Sequence, residues 1–298
     1  MRYSRYAHGP FTFFYLLLCV SIFPTLHATD WPSYGSDSSS TKYSALEQIT
    51  AANVASLQAR WSWESPDNPT VLENQAQQNF IATPGAYKVT PIAIDGVLYV
   101  STSYGRVAAI DGISGESLWV FDSKAWETGR PTNLGYNHRG VSYWSDGQNS
   151  RILMPTNDAY LYSIDASTGL VDLEFGEQGR IDLTLGLGRE VNRAAYTQIS
   201  APLVVGDIVV VGSSISDIPN YKEAPPGHVR GFDVRSGERV WIFNTIPQAG
   251  EYGNETWEEG AWEYTGNTNV WTLMSADEEL GYVYLPIGTP TNDWFGGH

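Results

Sequence analysis

The stretch Gly231-Phe232-Asp233-Val234-Arg235-Ser236-Gly237-Glu238-Arg239-Val240-Trp241-Ile242-Phe243 is one of three copies of a single pattern. An earlier copy reads Ala109-Ile110-Asp111-Gly112-Ile113-Ser114-Gly115-Glu116-Ser117-Leu118-Trp119-Val120-Phe121, and the middle one Ser163-Ile164-Asp165-Ala166-Ser167-Thr168-Gly169-Leu170-Val171-Asp172-Leu173-Glu174-Phe175. The Asp accepts backbone N–H groups at a turn, and the Gly four residues later takes the positive φ such a turn needs. The alternating residues that follow start a strand whose Trp or Leu points into a packed layer. Trp119, Leu173 and Trp241 are therefore expected to be buried, with Asp111, Asp165 and Asp233 in tight turns.

Each copy follows a β-rich run: Val97-Leu98-Tyr99-Val100, Arg151-Ile152-Leu153-Met154 and Ile208-Val209-Val210-Val211. Each unit thus reads as an up-and-down set of antiparallel strands. Four-stranded units repeating at roughly 40–50 residues indicate an all-β propeller. Asp111, Asp165 and Asp233 stand further apart than that, so inserted loops lie between the units, and long loops on a rigid scaffold are where function concentrates. Helical periodicity is nearly absent. The clearest candidate is Thr50-Ala51-Ala52-Asn53-Val54-Ala55-Ser56-Leu57, with Thr50 as its cap.

Residues 1–28 read as an export signal. Arg2 and Arg5 form the positive end, residues 11–23 the apolar core, and Leu26-His27-Ala28 the cleavage site. A periplasmic location is expected. The only cysteine, Cys19, lies inside this segment, so the mature domain, residues 29–298, holds no disulfide. The whole chain carries 17 Lys and Arg against 33 Asp and Glu, a net charge of −16. That balance argues against nucleic acid and anionic membrane surfaces as partners. The residues show no zinc-like spacing around His138, His228 or His298. No GxGxxG follows a first strand, which argues against a nicotinamide cofactor.

Four further motifs carry a resemblance. They are Asp30-Trp31-Pro32-Ser33-Tyr34-Gly35, Ile49-Thr50-Ala51-Ala52-Asn53-Val54-Ala55-Ser56-Leu57-Gln58-Ala59-Arg60-Trp61-Ser62-Trp63, Asn137-His138-Arg139-Gly140-Val141-Ser142-Tyr143-Trp144, and Asn269-Val270-Trp271 followed by Gly281-Tyr282-Val283-Tyr284-Leu285-Pro286-Ile287-Gly288-Thr289-Pro290-Thr291-Asn292-Asp293-Trp294. Together with the repeats they resemble the quinoprotein dehydrogenases, whose eight-bladed propeller holds pyrroloquinoline quinone (PQQ). The glucose dehydrogenase type is the more similar. The paired cysteines of the methanol type are missing, and an aromatic-acidic insert, residues 251–264, precedes Trp271.

The resemblance implies a site, residue by residue. Trp271 matches the flat floor on which the quinone stacks, and Arg139 the cation facing its oxygens. Ser200, in Ile199-Ser200-Ala201-Pro202, and Ser214, in Gly212-Ser213-Ser214, match positions that hydrogen-bond the cofactor's carboxylates. Lys88 stands where the family has Glu. A Ca2+ ion is implied as well, with Asp217 as its acidic ligand and Thr289 where an amide ligand is usual; Asn292 and Asp293 stand nearby in sequence.

No catalytic residue is assigned within the chain, because the family's base is an Asp expected beyond His298. Eight such blades need on the order of 400–550 residues, so residues 29–298 read as about the first half of a propeller. The implied activity is oxidation of an alcohol or aldose, with electrons passing to a membrane quinone or cytochrome c. The alternative is a non-catalytic propeller that scaffolds outer-membrane assembly. That reading expects short, regular blades and no cofactor residues, whereas here long inserts accompany Arg139, Asp217 and Trp271.

Overall fold

The three Asp–Gly turns are near-identical copies in space. In the computed structural model, which describes residues 30–72, 80–217 and 223–290, Asp111 Oδ1 accepts the N–H groups of Ile113 (3.0 Å) and Ser114 (2.7 Å). Asp165 does the same for Ser167 and Thr168 (3.1 and 2.8 Å), and Asp233 for Arg235 and Ser236 (2.9 and 2.8 Å). Gly115, Gly169 and Gly237 close the turns at φ of +78°, +72° and +77°. Each donates its N–H to the carbonyl of the Asp four residues earlier, at 2.8–2.9 Å. The bonds also set the charge state. The Ser114 N–H, then its hydroxyl, hold the Asp111 carboxyl below the usual range.

Each turn joins the third and fourth strands of a four-stranded antiparallel blade. The first blade runs through Ile92–Ile94, Val97–Ser101, Arg106–Asp111 and Ser117–Asp122 in simple sequential order. The second runs through Ser142–Ser145, Ser150–Pro155, Tyr160–Asp165 and Arg180–Asp182. The third comprises Leu203–Val205, Ile208–Val211, Val229–Asp233 and Arg239–Phe243. A hairpin of Ser275–Asp277 with Tyr282–Tyr284 follows, and another, Thr70–Leu72 with Phe80–Ala82, precedes them. The fold is an all-β propeller, as the repeats imply.

First strands are better shielded than the fourth strands of the first and third blades, as first strands facing the axis would be. Neighbouring first strands meet there, with the Ser142 hydroxyl donating to the Pro202 carbonyl. The apolar cores lie between blades. Ile92, Val107 and Ala109 pack with Ile152, Met154 and Ile164, and Leu153, Leu161 and Phe175 pack with Val209, Val211 and Phe232. A segment near the start, residues 31–39, runs from the first blade to the last hairpin. Trp31 pairs with Ala93 of the first blade, and the Ser38 carbonyl accepts the Ala276 N–H (2.7 Å).

Tryptophans weld one blade to the next turn. The half-buried Trp119 lays its ring on Gly169, where an added Cβ would come within 2.6 Å of the indole, and its Nε1 donates to the Ala166 carbonyl (3.0 Å). Trp61 does the same one unit earlier, stacking on Gly115 and donating to the Gly112 carbonyl (3.1 Å).

The middle copy corrects the sequence reading. Leu173 is 70% exposed, because residues after Gly169 turn aside and the fourth strand forms only at Arg180–Asp182. Phe175 is buried instead, and Gly237 of the next blade faces Ile181. Trp241 is partly buried, with its ring against Gly231 on the neighbouring strand. The expected helix at residues 50–57 is a single 3-10 turn, Val54–Ser56. Thr50 supplies its carbonyl there, accepting the Val54 N–H (2.9 Å). The expected export signal with Cys19, and Asn292, Asp293 and Trp294, lie outside the described residues.

Candidate functional site

Three of the implied site residues, Arg139, Ser200 and Trp271, occupy one recurring place, the loop just before a first strand, and Thr90 occupies it in the first blade. Thr90 precedes Ile92–Ile94, Arg139 precedes Ser142–Ser145, Ser200 precedes Leu203–Val205 and Trp271 precedes Ser275–Asp277. Because first strands surround the axis, these loops gather at one end of it. Hydrogen bonds stitch them in sequence. The Thr90 N–H reaches the Arg139 carbonyl (3.4 Å), the Arg139 N–H reaches the Ile199 carbonyl (2.9 Å), and the Ser200 hydroxyl donates to the Trp271 carbonyl (2.7 Å).

Three predicted residues converge. The Arg139 guanidinium carbon lies 5.2 Å from the centre of the Trp271 ring, and Nη1 donates to Ser200 Oγ at 3.4 Å. Arg139 is half-buried, and burial lowers its proton affinity. A cation beside an indole face offsets part of that cost. Trp271 remains 47% exposed, an unusual state for so large an apolar ring.

Arg139 is held from behind by its neighbour. His138 is buried, with Nδ1 against Ser101 Oγ (3.0 Å) and Nε2 against the Pro155 carbonyl (2.8 Å). Burial first, and then the Arg139 charge, push its pKa down to about 4, so the ring is neutral at pH 7. A neutral, wedged imidazole fixes the loop without adding charge beside the guanidinium.

The remaining expectations fall in different places. Lys88 is exposed, two residues before Thr90. Ser214 is buried in a short ladder with Thr197, whose hydroxyl donates to its carbonyl (2.9 Å). Its neighbour Ser213 lines the cleft beside Trp271 together with Gln198 and Ser200. Ser213 Oγ and Gln198 Nε2 are buried and have no hydrogen-bond partner. The sequence reading missed both, since neither carries a local signal and packing alone places them beside Trp271.

Asp217 is half-buried, and its N–H donates to Asn133 Oδ1 (3.1 Å). Thr289 is exposed, and its carbonyl accepts the Thr268 N–H (2.9 Å). Among the described residues no group of three or more His, Cys, Asp or Glu side chains stands ready for a metal ion.

This arrangement fits a flat, multiply acidic group such as PQQ. The fit rests on the half-exposed indole face and the guanidinium alongside it; the space lined by Ser213 and Gln198, about 10 Å³, has room for a water at most.

Comparisons with known proteins agree. The quinoprotein glucose dehydrogenase of Gluconobacter oxydans is 30% identical over 293 residues, covering 91% of this chain and 34% of that protein. The quinate/shikimate dehydrogenase (quinone) of Acinetobacter baylyi is 28% identical, over 94% of the chain and 35% of the relative. The crystal structure of the quinohemoprotein alcohol dehydrogenase of Comamonas testosteroni superposes with a TM-score of 0.66 at 25% identity, covering 88% of this chain and 36% of that one. The chain thus spans about a third of the length of the curated relatives it matches. Residues 31–298 match the family described as PQQ: Glucose/ethanol/alcohol dehydrogenase, beta-propeller domain. By fold, by motif and by that match, the chain belongs to the family of PQQ-dependent glucose, ethanol and alcohol dehydrogenases.

Proposed function

We propose that the protein is a periplasmic PQQ-dependent dehydrogenase that oxidises an alcohol or aldose and passes electrons to a membrane quinone or a cytochrome c. The observation that carries this reading is the convergence of Arg139, Ser200 and Trp271 from three separate blades at one end of the axis. A scaffold needs no exposed indole beside a half-buried cation. The relatives named for glucose, alcohol and quinate support the substrate class without choosing within it. An export signal at residues 1–28 supports the periplasmic location.

In this reading PQQ, when bound, supplies the two-electron acceptor. Trp271 carries one face of the ring. Arg139 keeps its charge at working pH and directs donors at the ring oxygens. Ser200 sets the distance between the two, being bonded to both. Ca2+ is proposed at Asp217, with Thr289 contributing a neutral oxygen. With a single carboxylate, that half of the site is electrostatically weak. The side chains named here bind and orient; none is assigned as the base.

The test is a PQQ titration of the apoprotein, followed by quenching of tryptophan fluorescence. Saturable quenching that disappears in Trp271→Ala and weakens in Arg139→Ala is expected. Equal quenching in all three proteins would place the cofactor elsewhere.

A further inference from the structure

We propose that a pocket beside Arg189 and His228, on the same end of the propeller as Trp271, binds the carboxylate of a small organic acid. Its apolar body would lie against Trp262.

The placement follows from strand direction. His228 stands just before Val229–Asp233, and Ser200 just before Leu203–Val205. Both strands are antiparallel to Ile208–Val211, so both residues sit at the same end of the third blade. Arg189 ties the pocket to the next segment, since its guanidinium donates to the carbonyls of Glu263 and Thr265, ahead of Trp271. Arg189, His228, Gln248, Trp262 and Glu263 line the pocket.

Two observations point independently to an anion. Arg189 is a partly buried cation that forms no ion pair among the described residues, in a chain where carboxylates outnumber basic groups 33 to 17. Burial lowers its proton affinity. A partly buried guanidinium whose partners are neutral carbonyl oxygens keeps its charge available to an arriving anion.

The second observation is His228, only 2% exposed. Its Nδ1 accepts the Thr245 N–H (3.2 Å), so in the neutral ring the proton sits on Nε2. Burial, then the charges of Arg189 and Arg230, push its pKa down to about 4 against the opposing effect of Glu251, so the ring is neutral. His228 lines the pocket, and its hydrogen bond among the described residues is made through Nδ1, which leaves Nε2–H as the donor side of the ring. A cation and a fixed neutral donor on one pocket wall are the complement of a carboxylate.

The neighbours set the charge of the ligand. Glu263 lines the pocket, and Glu251 acts on His228. Two nearby carboxylates repel a dianion such as phosphate more than a monoanion. Trp262 supplies the flat wall for an apolar body.

The experiment titrates cofactor-free protein with benzoate, with benzamide as the uncharged shape match and with inorganic phosphate as the dianion. The His228 imidazole resonance is followed by NMR. Benzoate should shift it saturably, benzamide should not, and phosphate should bind more weakly than benzoate. Arg189→Gln should weaken benzoate at least tenfold, about 1.4 kcal/mol. Because Arg189 also holds two carbonyls, His228→Phe, followed by Trp262 fluorescence, provides a second arm and should weaken benzoate several-fold. The proposal is overturned if benzoate and benzamide behave alike, if phosphate binds more tightly, or if folded variants bind benzoate as the unaltered protein does. If Arg189→Gln does not fold, His228→Phe decides. No cofactor is present, so the result is separate from the PQQ reading.

Discussion

Ser200 holds Arg139 and Trp271 in one frame. Its hydroxyl accepts from the guanidinium at 3.4 Å and donates to the Trp271 carbonyl at 2.7 Å, while the guanidinium sits 5.2 Å from the indole centre. A single two-way hydroxyl thus sets the spacing between the flat floor and the cation.

That spacing predicts graded effects on cofactor binding. Trp271→Ala should weaken PQQ at least tenfold, about 1.4 kcal/mol, and Trp271→Phe much less, because a flat ring remains. Ser200→Ala should weaken it several-fold through loss of alignment. Equilibrium dialysis of PQQ against the three variants measures the order, and a Ser200→Ala effect larger than that of Trp271→Ala would contradict it.

The metal assignment rests on charge. Asp217→Ala should remove the calcium dependence of PQQ retention, since Asp217 is the one carboxylate proposed for the ion. Thr289→Asn should be tolerated and tighten calcium by up to about tenfold, roughly 1.4 kcal/mol. Calorimetric calcium titration decides the matter. Unchanged binding in Asp217→Ala would mean the ion lies elsewhere.

Acid should destabilise the fold through His138. Its folded pKa, about 4, is below the ordinary 6.5. Above pH 6.5 the ring is neutral in both states and has no effect. Between 6.5 and 4 the unfolded chain takes up a proton that the folded one refuses, so stability falls with pH, on the order of 2 kcal/mol by pH 5. His138→Gln should flatten part of that slope in urea unfolding at pH 7.5 and pH 5. His228, shifted the same way, keeps the remainder. A variant as acid-sensitive as the unaltered protein would rule out this role.

The inter-blade contact at Gly169 predicts coupling. Gly169→Ala places a methyl against the Trp119 ring and forces a side chain into positive φ, a strain of about 1–2 kcal/mol before the clash is counted. Trp119→Ala removes the clash but also the packing. Measured by thermal unfolding, the double variant should be less destabilised than the sum of the singles. Strict additivity would argue against the contact.

Leu173 and Phe175 provide a direct contrast. Phe175, fully buried between the second and third blades, should cost about 3–5 kcal/mol when changed to Ala. Leu173→Ala, at a 70% exposed position, should stay within about 0.5 kcal/mol. Unfolding midpoints in urea test both, and similar losses would restore Leu173 to the core.

Much of the fold was legible because its signals are local. Each Asp–Gly turn closes through bonds within about five residues, so Asp111, Asp165 and Asp233 could be read correctly from their neighbours alone. Trp119 packs on a turn as its repeat implies. Leu173 misled, because the same spacing in the middle copy runs into a detour that places Phe175 inside. The role of Trp61 was unread, since the Gly115 it covers belongs to the following blade.

The sequence by itself determined the repeat, the all-β class, the family and the identity of Arg139, Ser200 and Trp271 as candidates. Only the tertiary structure brought them together. Ser200 is 61 residues from Arg139 and 71 from Trp271, and no local rule spans that distance. It also placed Ser213 in the small space beside Trp271 and Ser214 in the ladder with Thr197. The placing of Arg189 beside His228 has the same origin: both are unremarkable in sequence, and the stacking of loops at one end of a blade brings a cation with no ion pair among the described residues next to a neutral imidazole.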